Sequence, residues 1–324
     1  MSFLDRTVEY LAGLLDSLGL NGTRLRWRWS QRRREIGERG MRAEVLWRSA
    51  RAPHKMCPSC RALVPRSARR CTECGESLRG VQGPGLGRVL SNLLPGVSAA
   101  TSLLVLVNGV LYLLMVAAPG SSMGGEPVTG VQRLFGLDVG TLLRFGAGYG
   151  VWTFQQGEWW RLVTPIFLHG GLFHILMNTY ALMQLGPVAE SQYGRDRFVV
   201  VYVVSGIAGF FASQIFGTLT VGASASLSGL MGLLLVYAYR HHRGSGFKQV
   251  MLQNTLLLLV MSFAFPVVDW RAHLGGLAAG ALLGLFVPPG NLRSRAAERA
   301  FGLAALACVL LVLVAFWQVA VHPL

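Results

Sequence analysis

The sequence predicts an all-α polytopic membrane protein with a small four-cysteine module attached, and three observations lead there. Of 324 residues, 52% are hydrophobic and only 14% are charged, against about 25% charged in an ordinary soluble domain. Seven apolar runs approach the ~20 residues a helix needs to cross ~30 Å of hydrocarbon. Four of the five cysteines fall in two neighbouring C-x-x-C pairs.

The net charge of +15 is unevenly placed: eighteen of the thirty Lys and Arg precede residue 90, with eight of the fifteen acids. The front is therefore a basic, water-facing region and the remainder a membrane domain. The expected divisions are a basic N-terminal region at 1–52, a ribbon at 53–80, a linker at 81–96, a membrane core at 97–288 and a last span with its flank at 289–324.

Met1 to Leu20 sets Asp5, Glu9 and Asp16 against Phe3, Leu4, Val8, Leu11, Leu15 and Leu18. That is amphipathic helical spacing, without the unbroken apolar core of a cleavable signal peptide. Such a helix packs on a partner or on its own chain. Membrane-surface docking is the alternative, favoured by Trp27 and Trp29 among the arginines from Arg24 to Arg34. Nucleic acid, which the same basic and aromatic mix can touch, is not an expected partner.

Cys57-Pro-Ser-Cys60 and Cys71-Thr-Glu-Cys74 have the spacing of a tetrahedral zinc site with four thiolate ligands. With all four positions filled, the ion is structural, and a ribbon of ~25 residues would draw much of its folding energy from it. A cytoplasmic partner or the bilayer surface is the expected contact of this ribbon. Cys308, alone in the last span, is a small packing residue.

The apolar runs lie at 97–118, 170–187, 197–217, 224–240, 249–266, 271–288 and 301–321. The basic loops place the N-terminus in the cytoplasm if every run crosses, and the C-terminus outside. Residues 119–169 then form one long external loop, with Trp152, Phe154, Trp159 and Trp160 clustered before Arg161. The expected location is a bacterial plasma membrane.

Polar residues inside such spans are costly and become functional candidates. Ser224, Ser228 and Gly232 recur every four residues, with Gly229 beside them, and His273, Gly276, Gly280 and Gly284 recur at three and four. Each set occupies one helix face, and small residues let two membrane helices approach closely. Ser224 and His273 would then meet near the external surface as nucleophile and base. His174 and Asn178, four apart, could donate to an oxyanion. Small-residue packing and interhelical hydrogen bonding would use the same residues.

Five segments together resemble the rhomboid family of intramembrane serine proteases: Gly157-Glu-Trp-Trp-Arg161, Phe167-Leu-His169 through Asn178, Gly186-Pro-Val-Ala-Glu190, Val221-Gly-Ala-Ser224 and Ala272-His-Leu-Gly-Gly276. The resemblance covers about 97–288 and implies a six-helix core with a Ser–His dyad, no third acid and no catalytic cofactor. By this likeness Ser224 is the nucleophile and His273 the base. His174, Asn178 and the Ser224 backbone N–H form the oxyanion hole, and His169 orders water and the site. Trp160 and Arg161 anchor the external loop, and Glu190 is a structural hydrogen-bonding residue.

Two departures stand out. Ala225 occupies a position where the family usually has glycine, and Leu227-Ser228-Gly229 offers a competing match. Ser224 is preferred because Gly222 precedes it and Gly229 and Gly232 follow at the family's spacing. The run at 301–321 resembles the extra helix of six-plus-one members. The implied activity is hydrolysis of peptide bonds in or beside transmembrane helices of membrane-protein substrates. The alternative is an inactive rhomboid-like protein that binds transmembrane helices for sorting or quality control. A transporter is disfavoured by the lack of acids in the spans.

Overall fold

The computed structural model describes residues 3–17, 21–23, 26–27, 29–31, 54–57, 62–65, 67–68, 71–73, 98–120, 130–241, 246–265, 268–290 and 294–322. The chain divides into two compact units, one of residues 1–57 and 61–69, the other of residues 58–60 and 70–324.

The first unit opens with α1 (Phe3–Ser17). Its covered positions are Val8, Ala12 and Leu15, one helix face, whereas Leu11 is 44% exposed. Among the described side chains the expected apolar face keeps Val8 and Leu15 and loses Leu11, because the chain returns over Ala12. Gly22 sits against the Ala12 carbonyl, and its N–H donates to Asp16 at 2.9 Å. Arg26 reaches both Glu9 (2.9 Å) and Asp16 (2.8 Å). Its guanidinium, with the Gly22 N–H, holds the Asp16 carboxyl below the usual carboxylate range. Strands β1 (His54–Met56) and β2 (Leu63–Pro65) form an antiparallel hairpin with Met56 opposite Leu63. The buried Cys57 closes it, donating its N–H to Ala62 O at 2.8 Å. Cys71, in the second unit, is also buried, while Cys60 and Cys74 lie outside the described residues.

The second unit is helical. Its elements are α2 (Ala99–Ala117), the short α3 (Gln132–Phe135), α4 (Val139–Arg144) and α5 (Gly150–Gln155), then α6 (Leu172–Tyr193), α7 (Arg195–Gln214), α8 (Ser224–His241), α9 (Gly246–Ala264), α10 (Trp270–Phe286) and α11 (Arg295–Val321). A long helix therefore covers each of the seven predicted runs. Four of them, α2, α7, α9 and α11, are long and apolar enough to cross a membrane on length and composition. The other three, α6, α8 and α10, carry His174, Ser224 and His273. Their polar and small residues lower their hydropathy, and α10 has only 17 residues. The protein is an all-α polytopic membrane protein.

Helix α6 runs six residues past its predicted end at 187, through Pro187, because its continuation is anchored. Glu190, itself buried, accepts from the Thr101 N–H (2.8 Å), the Thr101 hydroxyl (2.7 Å) and the Ser98 hydroxyl. Its carboxylate thereby satisfies the open N–H groups at the start of α2 and complements that helix dipole.

The centre of the unit is the seam between α8 and α10, with α7 packed on both. Here the two glycine stripes interlock: a methyl at Gly280 would collide with the Gly229 backbone, one at Gly276 with the Ala225 carbonyl and one at Gly232 with the Leu277 carbonyl. Backbone meets backbone with no side chain between, as small-residue seams allow. Around it lie the fully buried Ile166, Leu182, Phe198, Tyr202, Leu230 and Leu233.

The segment between α2 and α6 holds short helices and turns where the sequence showed only a long loop. Asp138 caps α4 by accepting from the Thr141 N–H at 2.7 Å and forms a buried ion pair with Arg133 at 2.9 Å. Arg133 also donates to Met115 O at 2.8 Å, so the segment is pinned to the end of α2. Further on, β3 (Gly148–Tyr149) pairs antiparallel with β4 (Leu219–Thr220), just ahead of Ser224. The far end of α11 packs its buried Ala315 with Trp160 and Val163, and His322 stacks on Trp160 with ring centroids 5.2 Å apart.

Candidate active site

Ser224 is the first residue of α8, and the chain reaches it through Gly222. Gly222 has φ +124° and donates its N–H to Pro165 O at 2.9 Å. That torsion is adverse for a residue with a side chain. Space excludes one as well, since an added Cβ would lie 2.6 Å from His174 Nε2 and 3.6 Å from Ser224 Oγ. The His174 imidazole and the Ser224 hydroxyl thus flank one glycine. His174 Nδ1 accepts from the Gly170 N–H at 3.4 Å. A neutral ring in that tautomer carries its hydrogen on Nε2, the nitrogen beside Gly222.

Ser224 is half-buried, and its hydroxyl has no hydrogen-bond partner among the described residues. Ser228, by contrast, is buried and donates to the Ser224 carbonyl at 2.8 Å. His273 lies on the first turn of α10, which Asp269 caps by accepting from the Ala272 N–H at 3.1 Å. A methyl placed on Gly209 of α7 would fall within 3 Å of both Ala225 Cβ and Ala272 O. The residue after Ser224 and the residue before His273 therefore converge on one point. His273 is 7% exposed, and its Nδ1 is 2.7 Å from Ser262 Oγ on α9. No hydrogen bond joins Ser224 to His273 among the described residues. Such contacts often tighten only with substrate bound.

Asn178 is buried on α6 one turn beyond His174. Its Nδ2 donates to His174 O at 2.9 Å and its Oδ1 has no partner among the described residues. One amide hydrogen is thus spent within its own helix and the second remains. His169 is fully buried, with its ring 5.2 Å from that of His174 and neither ring nitrogen partnered among the described residues.

Arg161 fastens the segment between α2 and α6 to itself. Its Nη1 donates to Leu143 O (2.8 Å) and Ala147 O (3.0 Å), its Nε pairs with Glu158, and its guanidinium lies 4.6 Å from the centre of the Trp152 ring. Burial lowers its pKa and Glu158 opposes that; an arginine stays charged throughout. Trp160 is buried under His322 and packs with Val163 and Ala315.

The sequence reading overlooked Gln214 and Ser262. Gln214 Nε2 donates to Arg161 O at 2.7 Å, tying α7 to the segment ahead of the site. Ser262, a hydroxyl in an apolar run, carried the same intramembrane-polar signal as Ser224.

A rhomboid-domain family profile matches residues 156–289, which include all the groups of this site except Leu143, Ala147, Trp152 and His322. The chain is 38% identical over 154 residues to rhomboid protease GluP of Bacillus subtilis, covering 45% of this chain and 30% of that protein. It is 38% identical over 133 residues to YdcA of the same bacterium, a rhomboid by its name, covering 40% of this chain and 67% of that one. It is also 31% identical over 214 residues to RHOMBOID-like protein 9, chloroplastic, of Arabidopsis thaliana, covering 63% of this chain and 46% of the plant protein. The chain thus spans less than half the length of two of these relatives. With a shared domain and two thirds of YdcA accounted for, this chain belongs to the rhomboid family.

Proposed function

We propose that this chain is an intramembrane serine protease that hydrolyses peptide bonds in or next to transmembrane helices of membrane-protein substrates, using a Ser224–His273 dyad. The observation that carries the reading is the convergence of Ala225 and Ala272 beside Gly209, which sets the heads of α8 and α10 together. Ser228 is the weaker candidate because its hydroxyl is committed to a helix carbonyl.

In the proposed reaction, His273 takes the Ser224 hydroxyl proton while Oγ bonds to the scissile carbonyl carbon, whose π electrons move to oxygen. The His174 Nε2–H, the free Asn178 amide hydrogen and the Ser224 backbone N–H stabilise that oxyanion. Collapse breaks the C–N bond, and the imidazolium returns its proton to the leaving amine. Water, deprotonated by His273, then releases the acyl fragment and restores the hydroxyl. A helix in lipid has its backbone groups paired, so the substrate segment must unwind first. No cofactor is needed.

A fluorophosphonate probe tests this on the full chain in detergent. Wild type and Ser228→Ala should label and Ser224→Ala should not. Label surviving in Ser224→Ala would move the nucleophile elsewhere. An unlabelled wild type that still captured transmembrane helices would be the inactive, helix-binding rhomboid.

The remaining assignments are that all seven long helices cross, that the N-terminus is cytoplasmic and that the membrane is a bacterial plasma membrane. The proposed divisions are 1–52, 53–80, 81–96, 97–288 and 289–324. Cys57, Cys60, Cys71 and Cys74 would hold a structural zinc ion, and the ribbon would meet a cytoplasmic partner or the bilayer surface. Four thiolates suit zinc, and Cys57 is buried at a hairpin end where a ligand belongs. Metal analysis of the purified protein should give about one zinc per chain, falling to background in Cys57→Ser. No zinc in wild type would remove the assignment.

A further inference from the structure

We infer that Ser262 is a positioning residue which selects the base-competent tautomer of His273; this rests on the dyad reading above. Ser262 lies on α9, a helix with only three buried positions, Met251, Thr255 and Ser262. Its Oγ is 2.6 Å from Leu258 O, one turn back on its own helix, and 2.7 Å from His273 Nδ1. A serine hydroxyl owns one hydrogen and two lone pairs. A carbonyl oxygen only accepts, so the hydrogen points at Leu258 O and a lone pair faces the imidazole. His273 must then carry its own hydrogen on Nδ1. Nε2 is left with a bare lone pair and no partner among the described residues.

That is the protonation pattern a base needs before it can accept a proton from a serine hydroxyl. In the Ser-His-Asp triad a carboxylate enforces it, and the wrong tautomer there costs about 10⁴-fold in kcat. Here a neutral hydroxyl, oriented by a helix carbonyl, does the same job from a third helix. The opposite tautomer would put a hydrogen on Nε2, where a proton has to arrive, and would leave a lone pair on Nδ1 facing the Ser262 lone pair.

Kinetics with a transmembrane substrate and ¹⁵N NMR of histidine-labelled full-length protein in detergent test this together. Ser262→Ala should lower kcat about tenfold, the value of one neutral hydrogen bond, with KM unchanged. Ser262→Thr, which keeps a hydroxyl able to bond the same carbonyl, should restore it. The wild-type spectrum should show His273 protonated on Nδ1, and Ser262→Ala a mixture of tautomers. Wild-type His273 protonated on Nε2, or a Ser262→Ala kcat within about twofold of wild type, would overturn the proposal, the dyad standing if Ser224→Ala and His273→Ala remain inactive. Activity surviving in those two variants would instead remove the dyad itself.

Discussion

Replacing His273 with alanine should leave a chain that folds and binds substrate but cleaves it ~10⁶-fold more slowly, about what removing the histidine base costs a serine protease. The seam explains why the fold should survive. Gly276 and Gly280, which bring α10 against α8, lie beyond His273 on the same face, and the Asp269 cap at the Ala272 N–H does not involve the ring. The loss should fall on kcat. Thermal unfolding in detergent, run beside a single-turnover cleavage assay, separates lost chemistry from lost structure. A variant that melted normally and cleaved at more than about a hundredth of the wild-type rate would be incompatible with an imidazole base.

Gly280→Val should be the most destabilising single change in the membrane unit. Its Cβ would occupy the space of the Gly229 oxygen, carbon and Cα, all backbone atoms with no rotamer to yield. Overpacking of a tight core costs about 1–3 kcal/mol, occasionally more, and a branched side chain against main chain belongs at or above the top of that range. Because α8 must then leave α10, Ser224 and His273 part as well, and activity falls with stability. Two other glycines calibrate the effect. Gly284→Ala would meet Val236 Cβ at 3.1 Å, a contact a small shift relieves, and Gly109→Ala on α2 would meet nothing within 4 Å. The latter should be neutral or stabilising by up to ~1 kcal/mol, since alanine outranks glycine in a helix. Equal melting of Gly280→Val and wild type would mean that the two helices do not touch as described.

Periodicity carried most of the helical architecture. The serine and histidine stripes at steps of three and four indicated a close seam, and a seam is what small residues on two faces produce. The part that periodicity missed depends on contacts distant in sequence. Nothing local in Gly148-Tyr149 or Leu219-Thr220 announces a two-residue ladder, because pairs that short are made by their surroundings. The Asn178 amide, expected to face an oxyanion, spends one hydrogen on the His174 carbonyl four residues back, a local competition that spacing arguments ignore. Leu11 lost its place on the inner face of α1 because the covering element turned out to be the next turn of the same chain, seated on Ala12. Ser262 was visible as an odd hydroxyl in an apolar run, but its partner was not, since α9 and α10 meet only in three dimensions.

The proposed nucleophile enters its helix from a residue that has no handedness. At Gly222 the torsion suits mirror-image amino acids, and the room on the natural side is already filled by an imidazole. A gene can offer that position only left-handed replacements, each of which incurs both penalties at once. Variation there has no gradient to climb: the catalytic corner would tolerate a hydrogen atom at 222 and nothing bulkier, so the tightest specification in the site is written by an atom that is missing.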